Sequence, residues 1–392
     1  MSWTQTAIWW RSGWVREVGR SWRGAVELSV LPDPGPPGTA SGTAAEAAAE
    51  AAAEAAAEAG AERAPVLALA YPALVGTPRV GDRVLLNVGA LALSLGTGGY
   101  ALVVALPDRL PADPTDGYGH LMKARYTPLQ TAVAGVDEPG SPHHQALAEA
   151  DDLAGLPVVT ADLHSALPAI LAGVHADAPV ARVAYVMTDG GALPAWFSRT
   201  LDALAGTLAG VVTVGQAFGG DLEAASLHTG LLAARHVLDS DVAIVTQGPG
   251  NLGTGTRWGF SGVAVGEAVN ATAALAGRPV GALRLSAADP RPRHRGVSHH
   301  SLTAYGRVAL APADLVLPDR LPPGTAELVG AAVSELAGRH RLVSVPTGGL
   351  VEALRASPAR LSSMGRGLAD DPVYFLANAA AGRHAAGLIR QR

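Results

Sequence analysis

The residues able to do chemistry fall into three groups. Residues 289–300, DPRPRHRGVSHH, gather Arg291, Arg293, His294, Arg295, His299 and His300. Guanidinium groups bind carboxylate or phosphate through paired hydrogen bonds, and imidazole changes charge near neutral pH. The run therefore suits proton transfer on an anionic substrate, with a solvated charge cluster as the competing reading. Imidazoles also bind metals, but no His-x-x-x-His or comparable ligand spacing is present here, and the sequence identifies neither a metal nor a cofactor. The second group is Gln247–Thr256, QGPGNLGTGT. Its glycines, Gly248 and Gly250 first, let backbone N–H groups approach an anion, while Asn251, Thr254 and Thr256 add polar side chains near the expected start of a helix. The segment lacks the Gly-Lys-Ser/Thr ending of a P-loop. Gly248, Gly250 and Gly253 satisfy the bare G-x-G-x-x-G pattern, but no acidic residue follows about 20 positions past the last glycine, as dinucleotide binding requires. A tight strand-to-helix connection without a ligand explains the same glycines. The third group is dispersed: Asp162, His164, Asp189 and Asp221 each follow an apolar run, and Arg366 lies in SSMGRG ahead of a helix-like segment. The acidic residues and His164 suit general acid–base work or hard metal ligation if the strand ends converge; Asp189 and Asp221 also suit helix capping. No G-x-S-x-G elbow supports a hydrolytic serine. His228 and His236, eight apart in one expected helix, read as packing or surface residues.

These groups need elements to position them, and the chain changes rhythm along its length. Residues 25–30, then PVLALAYPAL, VGDRVLLNV and GGYALVVAL, are short Val/Leu-rich runs between Gly, Pro and Asp turns, which predicts a small β-barrel-like domain over 1–110. Inside it, residues 32–64 hold a low-complexity Ala/Glu insert, with Glu46, Glu50, Glu54 and Glu58 on one side of an expected solvated helix. Residues 111–155 read as a connecting segment. From 156 to 392 short apolar runs alternate with polar turns and amphipathic stretches, which predicts an α/β domain with a mainly parallel sheet and helices on both faces. Strands are expected at 157–161, 182–188, 210–215, 242–247, 279–286, 306–311 and 341–347, and helices at Leu193–Leu208, Asp221–Leu238 and Glu327–Gly338. Polar turns after several of these strands point to one sheet edge, where open α/β sheets bind ligands.

Composition narrows the classes. Hydrophobic residues make up 48% of the 392 and charged residues 16%, enough apolar material for a sizeable core. The net charge of −5 supplies no general field for nucleic acid or an anionic membrane, and the expected barrel lacks a basic stripe interleaved with aromatics. The chain has no cysteine, so thiolate chemistry and Cys-based zinc sites are excluded. Trp3, Trp9, Trp10 and Trp14 crowd the start, but Arg11, Arg16 and Glu17 interrupt them, leaving no run of signal-peptide or membrane-spanning length. The expectation is a cytoplasmic protein. A homodimer is expected only on the general frequency of two-fold pairs.

The strings GHLMKARYTPLQ, YVMTDGGALP, TVGQAFGGDLEA, QGPGNLGTGTRWGFSG, RHRGVSHHS and SSMGRGLADDP, in this order, resemble an uncharacterised bacterial family catalogued as domain of unknown function 3866. The likeness covers the chain outside residues 32–64. It implies a shared fold and transfers no activity. The residues themselves lead to an enzyme acting on a small anionic or phosphorylated metabolite or nucleotide. In that reading Gly248, Gly250, Asn251, Thr254 and Thr256 hold the anion, Arg293, Arg295 and Arg366 neutralise its charge, and Asp189, His294 or His299 moves protons. A non-catalytic effector sensor or interaction scaffold using the same crevice is the alternative.

Overall fold

The computed structural model describes residues 8–33, 64–95, 98–113 and 119–389, and divides the chain into two units, Met1–Asp116 and Gly117–Arg392. The Ala/Glu insert from Ala44 to Glu62 and Trp3 lie outside the described residues. In the first unit, β1 (Trp10–Trp22), β2 (Ala25–Pro32), β3 (Val66–Ala70), β4 (Arg83–Asn87) and β5 (Ala101–Ala105) close a barrel in the order β1-β2-β3-β5-β4. Period-two alternation fills it: Val26, Leu28 and Val30 of β2 are buried while Glu27 and Ser29 between them are not fully so.

The second unit opens with a hairpin of β6 (Leu121–Lys123) and β7 (Thr131–Val133). Lys123 is buried, donates from Nζ to the carbonyls of Gly215 and Ala217 at 2.8 Å each, and pairs with Glu223 at 3.3 Å. The segment between the β-rich and α/β regions is thus anchored in the second unit's own sheet. That sheet contains β8 (Pro157–Thr160), β9 (Val183–Thr188), β10 (Gly210–Val214), β11 (Leu222–Ala224), β12 (Val242–Gln247), β13 (Arg278–Ala282), β16 (Asp314–Pro318) and β17 (Arg341–Val345). It is parallel throughout, in the order β11-β10-β9-β12-β8-β13-β16-β17. Two short strands, β14 (Leu285–Ser286) and β15 (Gly296–Val297), pair separately.

The central strands are apolar along their whole length because both faces are covered. Val159 and Ile244 face helices Leu167–Asp177 and Pro372–Ile389, whereas Val158, Ala243 and Val245 face Leu227–His236 and Ala264–Ala274. Glycine lets the first helix pair approach closely: a Cβ on Gly173 would stand 1.9 Å from the Ala379 carbonyl oxygen, and one on Gly382 the same distance from that of Ile170. Among the described residues, no helix is long and apolar enough to cross a membrane.

Some element boundaries differ from the sequence reading. Residues 306–311 are not a strand: Ala304–Val308 is a π-helical turn continuing the helix His299–Thr303, and the strand is Asp314–Pro318. A short apolar run fits a buried helix as well as a strand, and here Ser298 caps the helix while Ala304 and Tyr305 enter the core. The expected helix from Asp221 begins at Leu227, after the Ser226 cap, because Leu222–Ala224 pairs with β10. Within Leu193–Leu208 the α-helix is confined to Arg199–Leu204, preceded by a 3-10 turn at Ala195–Phe197, and the helix expected at Glu327–Gly338 spans Pro323–Val333.

Candidate functional site

The topology makes a crevice at one place. β8 and β12 are neighbours, yet β8 leads into Leu167–Asp177 on one face of the sheet and β12 into Ala264–Ala274 on the other. Connections that part in this way leave a gap at the carboxyl ends of the strands. Asp162, two residues past β8, and Gln247, the last residue of β12, border it. Gln247 Nε2 donates to the Asp162 carbonyl and to Asn251 Oδ1, both at 2.8 Å. A cavity of about 10 Å³ between these strand ends is lined by Asp162, Thr188, Thr246, Gln247, Ser261 and Gly262, room for a single water-sized group.

The third wall comes from the segment after β13. Pairing of β14 with β15 folds residues 287–295 into a loop, and Ser298 starts the helix His299–Thr303 by accepting the His300 N–H at 3.2 Å. This brings together three imidazoles that are five and one apart in sequence. The His299 and His300 ring centres lie 4.4 Å apart, and that of His294 lies 4.9 Å from the first and 5.0 Å from the second. His294 Nδ1 is hydrogen-bonded to Ser298 Oγ at 2.8 Å. His300 stacks on Phe260 at 3.9 Å, and its Nδ1 faces Asp162 Oδ2 at 3.5 Å. One ring nitrogen from each of the three histidines lies within 4.8 Å of the others, the one grouping among the described residues suited to hold a metal ion.

The electrostatics favour neutral imidazole beside ionised carboxylate. Burial, then Arg284 and Arg291 and the neighbouring histidines, pushes His294 down to about 3. Burial, then His300, Arg293, Arg284 and Arg291, lowers His299 to about 4. Burial opposes the charge on Asp162, but His300 and Arg284 outweigh it and hold the carboxyl below its usual range. Beneath the histidine loop, fully buried Asp289 is gripped by Arg291, whose Nε and Nη2 reach its two oxygens at 3.0 and 2.9 Å, and by Arg366 at 3.0 Å. Burial again opposes the charge, and Arg291 and Arg366 hold Asp289 far below the carboxylate norm. Arg284, also buried, lies 3.7 Å from both Asp289 and Asp162 and ties the carboxylate pair together. Arg366 bonds Asp371 as well, at 3.4 Å.

The other candidates are placed as follows. Arg293 and Arg295 are exposed on the histidine loop; Arg293 pairs with no carboxylate among the described residues, and Arg295 donates to the Asp289 carbonyl at 3.4 Å. Arg366 reaches the site, but both its contacts are to protein carboxylates. Asn251 lies inside the crevice, accepting from Gln247 and, at 3.1 Å, from Ser261. Thr254 and Thr256 are not at a helix N-terminus, since the helix begins only at Ala264; their hydroxyls bond each other at 3.1 Å and close an exposed loop around Gly259. Gly248 has a packing reason, because a Cβ there would stand 2.3 Å from the Ala192 carbonyl oxygen, whereas Gly250 is open. Asp189 follows β9 directly, exposed, and accepts the Gln216 N–H at 2.8 Å; Asp221 accepts the Val211 N–H at 2.8 Å. Neither caps a helix: Ser198 and Ser226 do. His164 is buried in a network with Tyr185 at 2.9 Å and Ser198 at 2.7 Å, and burial lowers it to about 4.

Sequence reasoning passed over Arg284, Asp289 and Phe260 and gave His300 no separate role. Arg284 carried a signal, as an arginine inside the apolar run PVGALRLS; Phe260 carried none, since its place against His300 depends on the return of the 251–260 loop.

The profile of a family described as "Protein of unknown function (DUF3866)" matches residues 67–382. No curated protein and no solved structure matches the chain.

Proposed function

The chain belongs to that family, and we propose that the crevice beside β8, β12 and β13 is the active site of an enzyme acting on a small anionic molecule. The observation that carries this reading is the meeting of His294, His299 and Asp162 at a parting of strand connections, near the exposed Arg293, which pairs with no carboxylate among the described residues. Five arginines, Arg284, Arg291, Arg293, Arg295 and Arg366, stand against three carboxylates, Asp162, Asp289 and Asp371, so the site carries excess positive charge while His294 and His299 are held neutral. Arg293 and Arg295 meet the anion from the solvent side, with Asn251 and the open backbone at Gly250 opposite. Arg366 contributes by fixing Asp289, and Thr254 and Thr256 by closing the loop that carries Phe260. His299, neutral and with Nε2 free of any hydrogen bond, is the proton acceptor. Asp189, on the same sheet edge, is the second group for proton transfer.

A thermal-shift screen of the full chain against phosphate monoesters, nucleotides and small carboxylates tests this. A ligand present at 100 times its Kd stabilises the folded state by about 2.7 kcal/mol. At least one anion should raise the unfolding temperature of the wild type and do so much less in Arg293→Ala, with the ligand then converted on incubation. No shift with any anion would contradict the reading. Binding without conversion would make the crevice an effector site.

A further inference from the structure

We propose that His294, His299 and His300 together bind one divalent late transition-metal ion, zinc being the reference case, through one imidazole nitrogen each. The proposal deepens the reading of the crevice as an active site and rests on it for the ion's purpose, though not for its binding. A ring nitrogen bound to the ion has no lone pair for a proton, so with the ion in place His299 is a ligand and proton transfer falls to Asp189.

Geometry carries the argument. The three donor nitrogens lie within 4.8 Å of one another, and side-chain rotation closes that to the roughly 3.3 Å expected between ligands about 2.0–2.1 Å from a tetrahedral ion. Two rings are already steered from outside the cluster. His294 Nδ1 is held by Ser298 and His300 Nδ1 faces Asp162, which leaves the opposite ring nitrogen of each for an ion. A carboxylate or hydroxyl behind a ligating imidazole is the usual way such rings are oriented.

A second observation is independent of the spacing. His299 Nε2 is shielded from solvent and makes no hydrogen bond among the described residues, while the buried His300 Nδ1 and Asp162 Oδ2 face each other at 3.5 Å, longer than an ordinary hydrogen bond. Buried polar atoms are rarely left so, and His299 Nε2, aimed into the cluster beside a loosely held His300–Asp162 pair, marks a place built for something that is not protein. An ion held by the imidazoles satisfies His299 directly and draws His300 Nδ1–H toward Asp162.

Donor chemistry selects the ion. Three neutral nitrogen donors suit zinc, cobalt, nickel or copper, whereas magnesium and calcium require a shell of oxygens. Three protein ligands also leave a fourth position open, the pattern of catalytic rather than structural zinc sites. The surrounding carboxylates are already matched by Arg284, Arg291 and Arg366, so the charge of a bound dication is uncompensated and attracts an anionic oxygen to that fourth position. There the ion would supply Lewis acidity to the bound group.

The test titrates zinc into the full-length chain, stripped with a chelator, in competition with a chromophoric zinc chelator. One equivalent should bind, and X-ray absorption should show nitrogen scatterers at about 2.0–2.1 Å. Affinity should fall by more than about 100-fold in His299→Ala and in His300→Gln, and by roughly 10-fold or more in Asp162→Asn. His228→Ala, outside the cluster, should bind as the wild type does. Circular dichroism checks each variant, and His299→Ala, the least buried of the three positions, decides the matter if His300→Gln does not fold. Failure to retain stoichiometric zinc, or unchanged affinity in folded His299→Ala, overturns the proposal. Anion shifts that persist without zinc and vanish in Arg293→Ala would leave the crevice reading standing without the metal. Zinc binding with no anion effect would do the reverse.

Discussion

At the scale of single residues, the site depends on burial forcing groups into one charge state. His164 shows this away from the proposed ion ligands. Burial lowers its folded pKa to about 4, against about 6.5 in an unfolded chain. Between those values the unfolded state takes up a proton that the folded state refuses, so its contribution to stability is complete above about 6.5 and is lost as pH falls toward 4, about 3 kcal/mol in all. Urea unfolding at pH 7 and pH 4.5 should therefore show a smaller acid loss in His164→Gln than in the wild type, by about 2 kcal/mol, the part of that total lost by pH 4.5. Equal losses would mean that His164 is protonated in the folded protein. His294 and His299 titrate in the same direction, so part of the slope remains in the variant. Residue types alone exposed much of this layer: the histidines, Asp162 and the arginines stand out in sequence. Their pairing was not legible, because Arg366 meets Asp289 across 77 positions and only the fold decides whether an arginine faces substrate or a buried carboxylate.

At the scale of elements, the helix pair Leu167–Asp177 and Pro372–Ile389 backs the strand from which Asp162 projects, and its closeness depends on two glycines. Gly173→Ala places a methyl against the Ala379 carbonyl and should destabilise the fold by about 1–3 kcal/mol, whereas Gly387→Ala, in the same pair but facing open space, should stabilise it by about 0.5–1 kcal/mol. Denaturant titrations of the two variants check the contrast; equal effects would show that the helices have room to part. The parallel strands were legible because continuous apolar runs such as VAIVTQ are what a sheet covered on both faces requires. The helix across Ala304–Val308 was not, since GRVALA reads equally well in either conformation and its cap at Ser298 lies eight residues upstream. The grouping of the three histidines was not legible for a related reason. Its spacing follows no helical i, i+4 rule, because the β14–β15 pairing, not a single helix, brings His294 back to His299.

At the scale of the whole molecule, the family match runs from 67 to 382 and so includes parts of both units, while every group assigned to the site lies in the second. The chain is net negative at −5, so attraction of an anion is a local property of the arginine and histidine wall rather than of the molecule's overall field. The account therefore turns on whether that wall is where anions bind. The most direct measurement is an NMR titration of the imidazole nitrogens of the full chain with orthophosphate and with the best anion from the thermal screen, the signals assigned through His294→Gln, His299→Gln and His300→Gln. Signals of His294, His299 and His300 should shift together and saturably, with His228 and His236 unmoved and the response weakened in Arg293→Ala. If the three stay fixed while an anion binds elsewhere or not at all, the crevice is not the site and the proposed function is wrong.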